Sequence, residues 1–493
     1  MQTRSSLSLL LLAAAAACAP APAAVAPAPA PARAPLAAAL DSLFSDTALA
    51  HAHWGVEVRS GRTGEVLYRR NAERMFVPAS NMKIITGAAV LEALGPEYRY
   101  RTAVEAAGSV SGGVLLGSLV VRGSGDPTLS ARFGGDARAV FRAWADSLKA
   151  RGITRVTGSV VGVDDVFDDV ALGRGWPWDD LEAYYSAEVG GLLYNEGVID
   201  VRVSPGARPG EPGRVDLVPA TAYVPVENRT TTGAPGSRPT LRLSRAAAGP
   251  GVVVQGSLPA DTAGITESIA IRDNTLYFAT VLREVLGEAG VRVEGAAVDA
   301  DALPGGGAAL AATPLFTHAS PPMREVLAAF LKPSQNQIGE ILLKTLGREL
   351  RGEGSARAGV SAVDSLVRLW GVEPRGLRQA DGSGLSRYNL VTPAALISIL
   401  AHMDRSPHRE VWLAALPVGG VDGTLRSRFR GTPAEGRVRA KTGTLSGVRS
   451  LSGYAPAAGE TVLFSMMVNH HVLSARDADR VIDAAVLRIL SGR

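Results

Sequence analysis

Hydrophobic and polar positions change period several times along the chain, and each change marks a predicted element. Two strand-like segments, 54–59 and 66–69, flank a glycine-containing turn and predict a β-hairpin. From Ser80 the apolar spacing becomes helical, and Gly95-Pro96 ends the predicted helix. A further helix is predicted over 37–49, before the hairpin.

The middle of the chain holds two similar strand–helix–strand patterns. One covers 116–165 with a helix at 137–151, and the other covers 251–299 with a helix at 274–289. The two units predict one accessory domain with an internal repeat. Chance similarity between two generic units is the alternative. The strand- and turn-rich stretch 166–249 predicts a nested β insertion.

The last third of the chain is first helical and then strand-like. The predicted helices are 324–331, 335–350, 360–370 and 393–403, and the predicted strands are 437–441, 448–454 and 462–469, followed by a helix at 475–490. This order predicts an antiparallel sheet backed by helices. The predicted fold class is α/β (α+β), with inserted domains in the middle of the chain.

Composition and charge exclude several classes of protein. The chain has 493 residues, 46% of them hydrophobic, which suggests two to four domains with large cores. Its net charge of +4 comes from 51 basic and 47 acidic residues. The basic residues form no run and are not interleaved with aromatic residues, so no nucleic-acid partner is expected.

The N-terminus predicts export. Arg4 precedes an apolar run, 7–17, that is too short to cross a membrane and is typical of a secretory signal. Cys18, the single cysteine, follows three alanines, and this resembles a bacterial lipoprotein processing site at which Cys18 is lipidated. The alternative is ordinary cleavage that discards Cys18. Residues 19–36 predict an extended Ala/Pro tether.

Three short motifs occur in one order, and the first is Ser80-Asn81-Met82-Lys83. Residues i and i+3 share a helix face, so Lys83 is expected beside Ser80. A serine nucleophile needs a neighbouring base, and a lysine can be that base only when its pKa is lowered. The alternatives are a helix N-cap for Ser80 and a solvated surface position for Lys83.

The second motif, Ser334-Gln335-Asn336, begins a predicted helix after a proline. A second serine can relay a proton, and an amide can align a substrate. The alternative is structural, because Ser334 and Gln337 have the S-x-x-Q spacing of a capping box. The two roles are compatible, since a capped helix start can also present a hydroxyl.

The third motif, Lys441-Thr442-Gly443-Thr444, lies in strand-like sequence. Gly443 allows another backbone or a ligand to approach closely. Lys441 and the two threonine hydroxyls would bind a carboxylate, and Lys441 could lower the pKa of Lys83 by like-charge repulsion. The alternative is a strand end with a solvated lysine.

The combination S-x-x-K, S-x-N and K-T-G is typical of class A β-lactamases and penicillin-binding proteins. Here Gln335 replaces the usual aspartate, at a position that need not take part in the chemistry. The 250 residues between the first two motifs, 84–333, favour one group. The chain resembles the class C low-molecular-mass penicillin-binding proteins, which are D-alanyl-D-alanine carboxypeptidases/endopeptidases.

Four other strings resemble the same group, and we interpret them as tight turns without chemistry: Gly125-Asp126-Pro127-Thr128-Leu129, Leu193-Tyr194-Asn195-Glu196, Asp381-Gly382-Ser383-Gly384-Leu385-Ser386 and Val421-Asp422-Gly423-Thr424-Leu425. The resemblance implies a β-lactamase/transpeptidase-like domain, with a helical subdomain, interrupted by two inserted domains. The expected boundaries are 1–18 for the signal, 19–36 for the tether, 37–99 with 306–493 for the peptidase domain, 100–165 with 250–305 for the accessory domain, and 166–249 for the nested insertion.

The resemblance also implies a mechanism. Ser80 would attack the penultimate D-Ala carbonyl of a peptidoglycan stem peptide, and neutral Lys83 would take its proton. Backbone N–H groups of Ser80 and Thr444 would form the oxyanion hole, and Ser334 would pass a proton to the leaving amine. Water would then hydrolyse the acyl-enzyme.

Substrate recognition is implied by the same resemblance. Asn336 would orient Lys83 and bind the substrate amide, while Lys441, Thr442 and Thr444 would hold the terminal carboxylate. No metal and no organic cofactor are expected. β-Lactams would acylate Ser80, and the resulting acyl-enzyme would be hydrolysed slowly. The expected location is the periplasm or the outer face of a bacterial membrane.

Two other functions stay open. The long insertion could make the protein a penicillin-binding cell-wall scaffold with little turnover. A β-lactamase is the other alternative, although no convincing Glu-x-x-Leu-Asn segment is present to activate a deacylating water.

Two features lie outside the motifs. Asp164-Asp165 and Asp168-Asp169 could bind a cation, but a solvated loop is the simpler interpretation. Trp176, Trp178 and Tyr184-Tyr185 could cover a substrate, but packing within an accessory domain is simpler.

Overall fold

The computed structural model describes residues 33–45, 49, 51–457 and 459–492. The predicted signal peptide at 1–18, with Cys18, and most of the predicted tether lie outside these residues. The first described elements are α1 (Arg33–Phe44), β1 (His53–Ser60), β2 (Val66–Arg70) and α2 (Met82–Leu94). The predicted hairpin and the following helix are confirmed. The helix predicted over 37–49 begins earlier and ends at Phe44.

The middle of the chain forms strands around two helices. The first group is β3 (Arg101–Ser111), β4 (Val114–Arg122), α3 (Ala139–Ala150), β5 (Arg155–Val156) and β6 (Val160–Val163). Six strands follow: β7 (Val198–Ser204), β8 (Arg214–Val218), β9 (Val226–Gly233), β10 (Arg242–Arg245), β11 (Val252–Pro259) and β12 (Ile265–Ala270). The last group is α4 (Asn274–Glu288), β13 (Arg292–Val293), β14 (Ala297–Asp299) and β15 (Thr313–Ala319).

One seven-stranded sheet joins the two ends of this middle region. Its order is β13-β5-β4-β3-β15, and β6 and β14 are joined to it through β4. β5 pairs in parallel with β13, and β6 with β14. The two helix–strand units, α3 with β5-β6 and α4 with β13-β14, therefore lie side by side. Their apolar faces share one core that contains Phe141, Trp144 and Phe278.

Strand pairing moves two of the predicted boundaries. β11 pairs with β9 and β10, and β12 pairs with β7 and not with the seven-stranded sheet, so the nested segment continues past 249 to 270. β15 pairs with β3, so the accessory sheet continues past 305 to 319. The first strand of the second predicted repeat is present as β11, but it pairs outside the seven-stranded sheet. Local sequence shows that a segment is a strand, but not which distant strand hydrogen-bonds to it. We propose an accessory domain of 101–163 with 274–319, and a nested insertion that ends at 270.

The C-terminal part begins with helices. They are α5 (Met323–Leu331), α6 (Asn336–Arg351) and α7 (Ala356–Leu369), then the short strands β16 (Leu377–Arg378) and β17 (Leu390–Val391), then α8 (Pro393–Arg405) and α9 (Arg409–Ala415). The four predicted helices are confirmed. α9 was not predicted, because seven residues are too few to show a helical period.

The chain ends in β18 (Arg439–Leu445), β19 (Val448–Ala457), β20 (Glu460–Asn469) and α10 (Ala475–Ser491). The final sheet is antiparallel and has the order β18-β19-β20-β1-β2. α1 and α10 cover one face, while α8 contacts the other and α2 packs against α8. β19 and β20 are therefore buried along almost their whole length. Edge strand β18 lies beside the start of α2, which places the first and third motifs together.

Within the part of the chain that the structure describes, no helix has both the length and the apolar character needed to cross a lipid bilayer.

Candidate active site

Ser80 lies in a 3₁₀ turn, Ala79–Asn81, directly before α2. Ala79 has a positive φ of 49°, an unusual conformation for a residue with a side chain, and such strain is concentrated at functional sites. Asn81, and not Ser80, occupies the N-cap position of α2, and its side chain makes no capping hydrogen bond, so the alternative of a capping serine is wrong. Lys83 is fully buried in the first turn of α2, so the alternative of a surface lysine is also wrong.

Lys83 Nζ has three oxygen neighbours. It lies 2.6 Å from Asn336 Oδ1, 2.6 Å from the Ser383 carbonyl oxygen and 3.1 Å from Ser80 Oγ. A neutral amine has two N–H donors and one lone pair. The amide and carbonyl oxygens are acceptors and take both donors, so the lone pair is left for the Ser80 hydroxyl. The contacts of Lys83 therefore suit a neutral base beside a serine nucleophile.

Burial lowers the pKa of Lys83 to about 7, while the carboxylates of Asp381 and Glu340 act in the opposite direction. A neutral Lys83 is therefore well populated near neutral pH. The sequence suggested that repulsion by Lys441 could contribute to this shift, and burial is its main cause. Burial and then the Lys83 ammonium lower the pKa of Lys441 well below its ordinary value.

Ser334 does not cap α6. It has a left-handed φ of 66°, and Gln335 is the N-cap residue, whose side-chain oxygen accepts from the Ile338 N–H. The predicted capping box from Ser334 to Gln337 is therefore wrong. Because Gln335 supplies the cap, the Ser334 hydroxyl points elsewhere and accepts from Lys441 Nζ at 2.9 Å.

Three consecutive side-chain amides at the start of α6 contact the segment inserted between the first two motifs. Gln335 Nε2 donates to the side chain of Glu196, at 2.7 Å from Oε2. The other two amides donate to backbone carbonyls: Asn336 Nδ2 to Tyr185 at 2.8 Å, and Gln337 Nε2 to Tyr184 at 2.7 Å. The Asn336 contact fixes the amide so that its oxygen faces Lys83. The inserted segment is therefore part of this site. The Tyr185 hydroxyl binds Asp180 within the insertion, but the backbone carbonyls of Tyr184 and Tyr185 contact α6, which the prediction of packing within the accessory domain did not include.

The third motif forms the opposite wall. Lys441 is fully buried on β18 and also donates to the Thr442 carbonyl at 2.8 Å. The Thr442 and Thr424 hydroxyls are 2.7 Å apart. A side chain at Gly443 would collide with Ser450 and the Pro78 carbonyl, so only glycine lets β18 approach the turn that carries Ser80.

A cleft of about 560 Å³ opens over these groups. Ser80, Ser334, Asn336 and Thr444 line it, and Tyr184 and Tyr185 from the inserted segment line another wall. The structure thus brings all three predicted motifs to one cavity. The arrangement places Ser80 beside the buried amine of Lys83, Ser334 beside the buried amine of Lys441, and hydroxyl groups along a strand.

A family model described as the D-Ala-D-Ala carboxypeptidase 3 (S13) family matches residues 36–489. The chain belongs to the D-Ala-D-Ala carboxypeptidase 3 (S13) family. This S13 peptidase is 39% identical over 446 residues to the D-alanyl-D-alanine carboxypeptidase of Actinomadura sp. (strain R39), covering 88% of this chain and 80% of that relative. It is 28% identical over 417 residues to D-alanyl-D-alanine carboxypeptidase DacB of Haemophilus influenzae, covering 82% and 83%. The predicted family and the serine peptidase activity are confirmed.

The fold of this S13 peptidase is similar to solved structures. The crystal structure of penicillin binding protein 4 from Haemophilus influenzae aligns with a TM-score of 0.77 at 24% identity, covering 91% of this chain and 97% of that one. The predicted fold class is confirmed by this match.

Sequence reasoning missed the turn that supports Lys83. The string Asp381 to Ser386 was interpreted as a turn without chemistry, yet the Ser383 carbonyl is a direct partner of Lys83. Asp381 is buried and accepts from the N–H groups of Gly384 and Ser386 and from Trp176 Nε1. The expectation that Trp176 packs only within the accessory domain is therefore wrong as well. A glycine- and aspartate-rich string gives no sign of the distant lysine that its carbonyl contacts.

The acidic residues outside the motifs do converge in part. Asp164, Asp165 and Asp301 have carboxylate oxygens within 4.8 Å of one another. Asp164 also accepts from the Thr275 hydroxyl at 2.5 Å, and Asp168 forms an ion pair with buried Lys344 at 2.6 Å. Asp168 is thus part of an internal contact and not only of a solvated loop.

Proposed function

We propose that this S13 peptidase cleaves peptidoglycan stem peptides through an acyl-enzyme on Ser80. The observation that carries the proposal is the contact set of Lys83 Nζ, whose two acceptor contacts leave its lone pair for the Ser80 hydroxyl 3.1 Å away. Ser80 Oγ attacks the carbonyl carbon of the penultimate D-Ala while Lys83 accepts the hydroxyl proton. The C–O bond forms as the carbonyl oxygen becomes an oxyanion.

The oxyanion is stabilised by the backbone N–H groups of Ser80 and Thr444, residues that both line the cleft. When the intermediate collapses, the C–N bond breaks and the leaving amine needs a proton. Ser334 donates its hydroxyl proton to that amine, and the proton that Lys83 took from Ser80 then passes to Ser334, so that Lys83 is neutral again. Lys441 Nζ, 2.9 Å from Ser334 Oγ, stabilises the transient negative charge on the serine oxygen. Water then attacks the ester and releases the shortened peptide.

The terminal carboxylate is recognised by the third motif. Thr442 and Thr444 offer hydroxyl donors along β18, and buried Lys441 supplies positive charge behind them. Asn336 lies between Lys83 and the Tyr185 carbonyl, so its fixed amide is available to orient the substrate peptide as well as the base.

Both a terminal D-Ala-D-Ala and a D-Ala–diamino-acid cross-link have the scissile bond that this machinery needs. We propose carboxypeptidase and endopeptidase cleavage as two outcomes at one site. Penicillin binding protein 4 of Haemophilus influenzae has been solved with a β-lactam. A β-lactam presents a ring carbonyl close to a carboxylate. We propose that it acylates Ser80 and that the acyl-enzyme is hydrolysed slowly.

Export and anchoring are further parts of the proposal. Peptidoglycan lies outside the cytoplasmic membrane, and the N-terminal 18 residues combine a basic start, an apolar run and Cys18. We propose a lipid on Cys18 that holds the enzyme at a bacterial membrane surface. In the producing bacterium, Cys18→Ser should move the enzyme from the membrane to the soluble fraction. An unchanged distribution would exclude the lipid anchor.

The deciding experiment is mass spectrometry of muropeptides treated with the enzyme. Loss of one alanine shows carboxypeptidase cleavage, and splitting of dimers into monomers shows endopeptidase cleavage. Ser80→Ala should abolish both products and labelling by a fluorescent penicillin. Labelling of the native enzyme without any product would instead favour a penicillin-binding scaffold. Rapid repeated hydrolysis of a penicillin would favour a β-lactamase.

A further inference from the structure

Glu340 is a buried carboxyl that the proposed mechanism does not use. It lies on α6, one turn after Asn336, and is 2% exposed. Its side-chain oxygens accept from the Gly382 N–H at 3.0 Å and from the Ser383 N–H at 2.9 Å. A carboxylate removed from water needs such donors, and here both come from the turn that also contacts Lys83.

The Ser383 residue is therefore held from two sides. Its N–H donates to Glu340, and its carbonyl oxygen accepts from Lys83 Nζ at 2.6 Å. The turn also lies close against α6, because a side chain at Gly382 would collide with the Gly339 carbonyl. Glu340 thus connects the helix that carries Asn336 to the carbonyl that faces Lys83. Lys83 Nζ thus has two acceptors that depend on α6. Asn336 lies on this helix, and the Ser383 carbonyl is held by Glu340 from the same helix.

We propose that Glu340 is a positioning residue that holds the Ser383 carbonyl against Lys83 and so keeps the amine lone pair directed at Ser80. The inference rests on the proposed role of Lys83 as the base. Glu340 does not touch the substrate and transfers no proton. It acts through the peptide of residues 382–383.

Charge gives this role a signature that a purely structural role lacks. The charged groups that act on Lys83 are Glu340 on α6 and Asp381 in the turn, while Lys441 on β18 lies close enough to be affected by the Lys83 ammonium. Burial raises the pKa of Glu340 to about 8, and its carboxylate favours the protonated form of Lys83. Glu340 therefore gains its charge over the same pH range in which Lys83 loses its proton, and a replacement that cannot ionise makes Lys83 a base at somewhat lower pH.

Three variants of the full chain separate the charge from the hydrogen bonds. Glu340→Gln keeps an acceptor oxygen but removes the charge. Glu340→Asp keeps the charge but withdraws it from the turn, and Glu340→Leu removes both. Glu349→Gln, a change at an exposed position on the same helix, is the matched control. The measurement is the rate of Ser80 acylation by a fluorescent penicillin from pH 5 to 9, with a thermal melt of each variant.

In Glu340→Gln the acidic limb of the pH profile should become steeper and move down by less than about one pH unit, because Glu340 is only partly ionised over that limb. Glu340→Asp should keep the native midpoint but reach a plateau about 10-fold lower, within the usual range for a misplaced base. Glu340→Leu should lose about 100-fold or more, and Glu349→Gln should match the native enzyme. A native midpoint and a native plateau in folded Glu340→Gln would overturn the inference, and so would native rates in Glu340→Leu.

The result is distinguishable from failure of the proposed function. If Ser80→Ala is still acylated and active, the function itself is wrong. If Ser80→Ala is inactive while every Glu340 variant behaves as native, only the positioning role is wrong. If Glu340→Leu does not fold, the pH midpoints of Glu340→Gln and Glu340→Asp still decide.

Discussion

Ser334 Oγ accepts a hydrogen bond from Lys441 Nζ at 2.9 Å, across 107 positions of sequence. This contact joins the second motif to the third and is possible because Ser334 adopts a left-handed conformation. A helix-capping serine would have its hydroxyl occupied by a backbone N–H. The strain at Ser334 is therefore linked to the contact with Lys441.

Ser334→Ala should lower kcat for D-Ala release by about 10²–10³-fold, because the leaving amine loses its proton donor. Acylation by a penicillin should fall less, since strain in the β-lactam ring assists its opening. Steady-state release of D-Ala and single-turnover labelling give the two rates. Equal losses in both assays would contradict a role specific to the leaving group.

Peptidase activity should rise with pH through about 7, the value to which burial lowers the pKa of Lys83. The sign follows from the mechanism, because protonated Lys83 cannot accept the Ser80 proton and its neutral fraction grows above its pKa. The pH dependence of kcat/KM reports this group in the free enzyme. An activity that falls steadily from pH 6 to 8 would contradict a neutral lysine base.

The contact between Gln335 and Glu196 should couple the inserted segment to the second motif. Gln335→Glu keeps an acceptor for the helix cap but places a carboxylate against Glu196, and kcat/KM should fall by about 10-fold through this repulsion. The double variant Gln335→Glu/Glu196→Gln restores a donor–acceptor pair and should recover most of the loss. Because Arg132 also pairs with Glu196, Glu196→Gln alone is the required control. A double variant as poor as Gln335→Glu would argue against coupling.

Gly384→Ala should damage both the fold and the site. Gly384 has a φ of 87°, and an added side chain would collide with the Ala79 carbonyl directly before Ser80. Gly64→Ala is a matched control, because it has a similar φ of 74° with open space around it. The control should lose about 1 kcal/mol of stability from backbone strain alone. Gly384→Ala should lose about 1–3 kcal/mol more from overpacking, and acylation should slow in the folded fraction. Equal unfolding free energies of the two variants in urea would contradict the close approach.

Sequence reasoning succeeded where the signal was local. The spacing of Ser80 and Lys83 lies within one helical turn, so their contact was predictable. It failed where either of two side chains can fill the same role. Ser334 and Gln335 can both cap α6, and contact with Lys441 decides that Gln335 does so. It also failed for β11, β12 and β15, whose strand character is local but whose pairing is not.

The chemistry missed by the sequence belongs mainly to backbone groups. The carbonyls of Ser383, Tyr184 and Tyr185 are identical in type to every other carbonyl in the chain, so residue identity cannot single them out. Glu340 was missed for a related reason. A glutamate in a helix is ordinary, and only its burial beside the 382–383 turn distinguishes it.

The sequence alone therefore determined the three motifs, their order, and most helices and strands, because these depend on residue type and short-range spacing. Tertiary structure decided the pKa-lowering burial of Lys83, the orientation of Ser334 and the entry of the inserted segment into the cleft. These features depend on desolvation and on contacts between segments far apart in the chain. Neither is encoded in any local pattern.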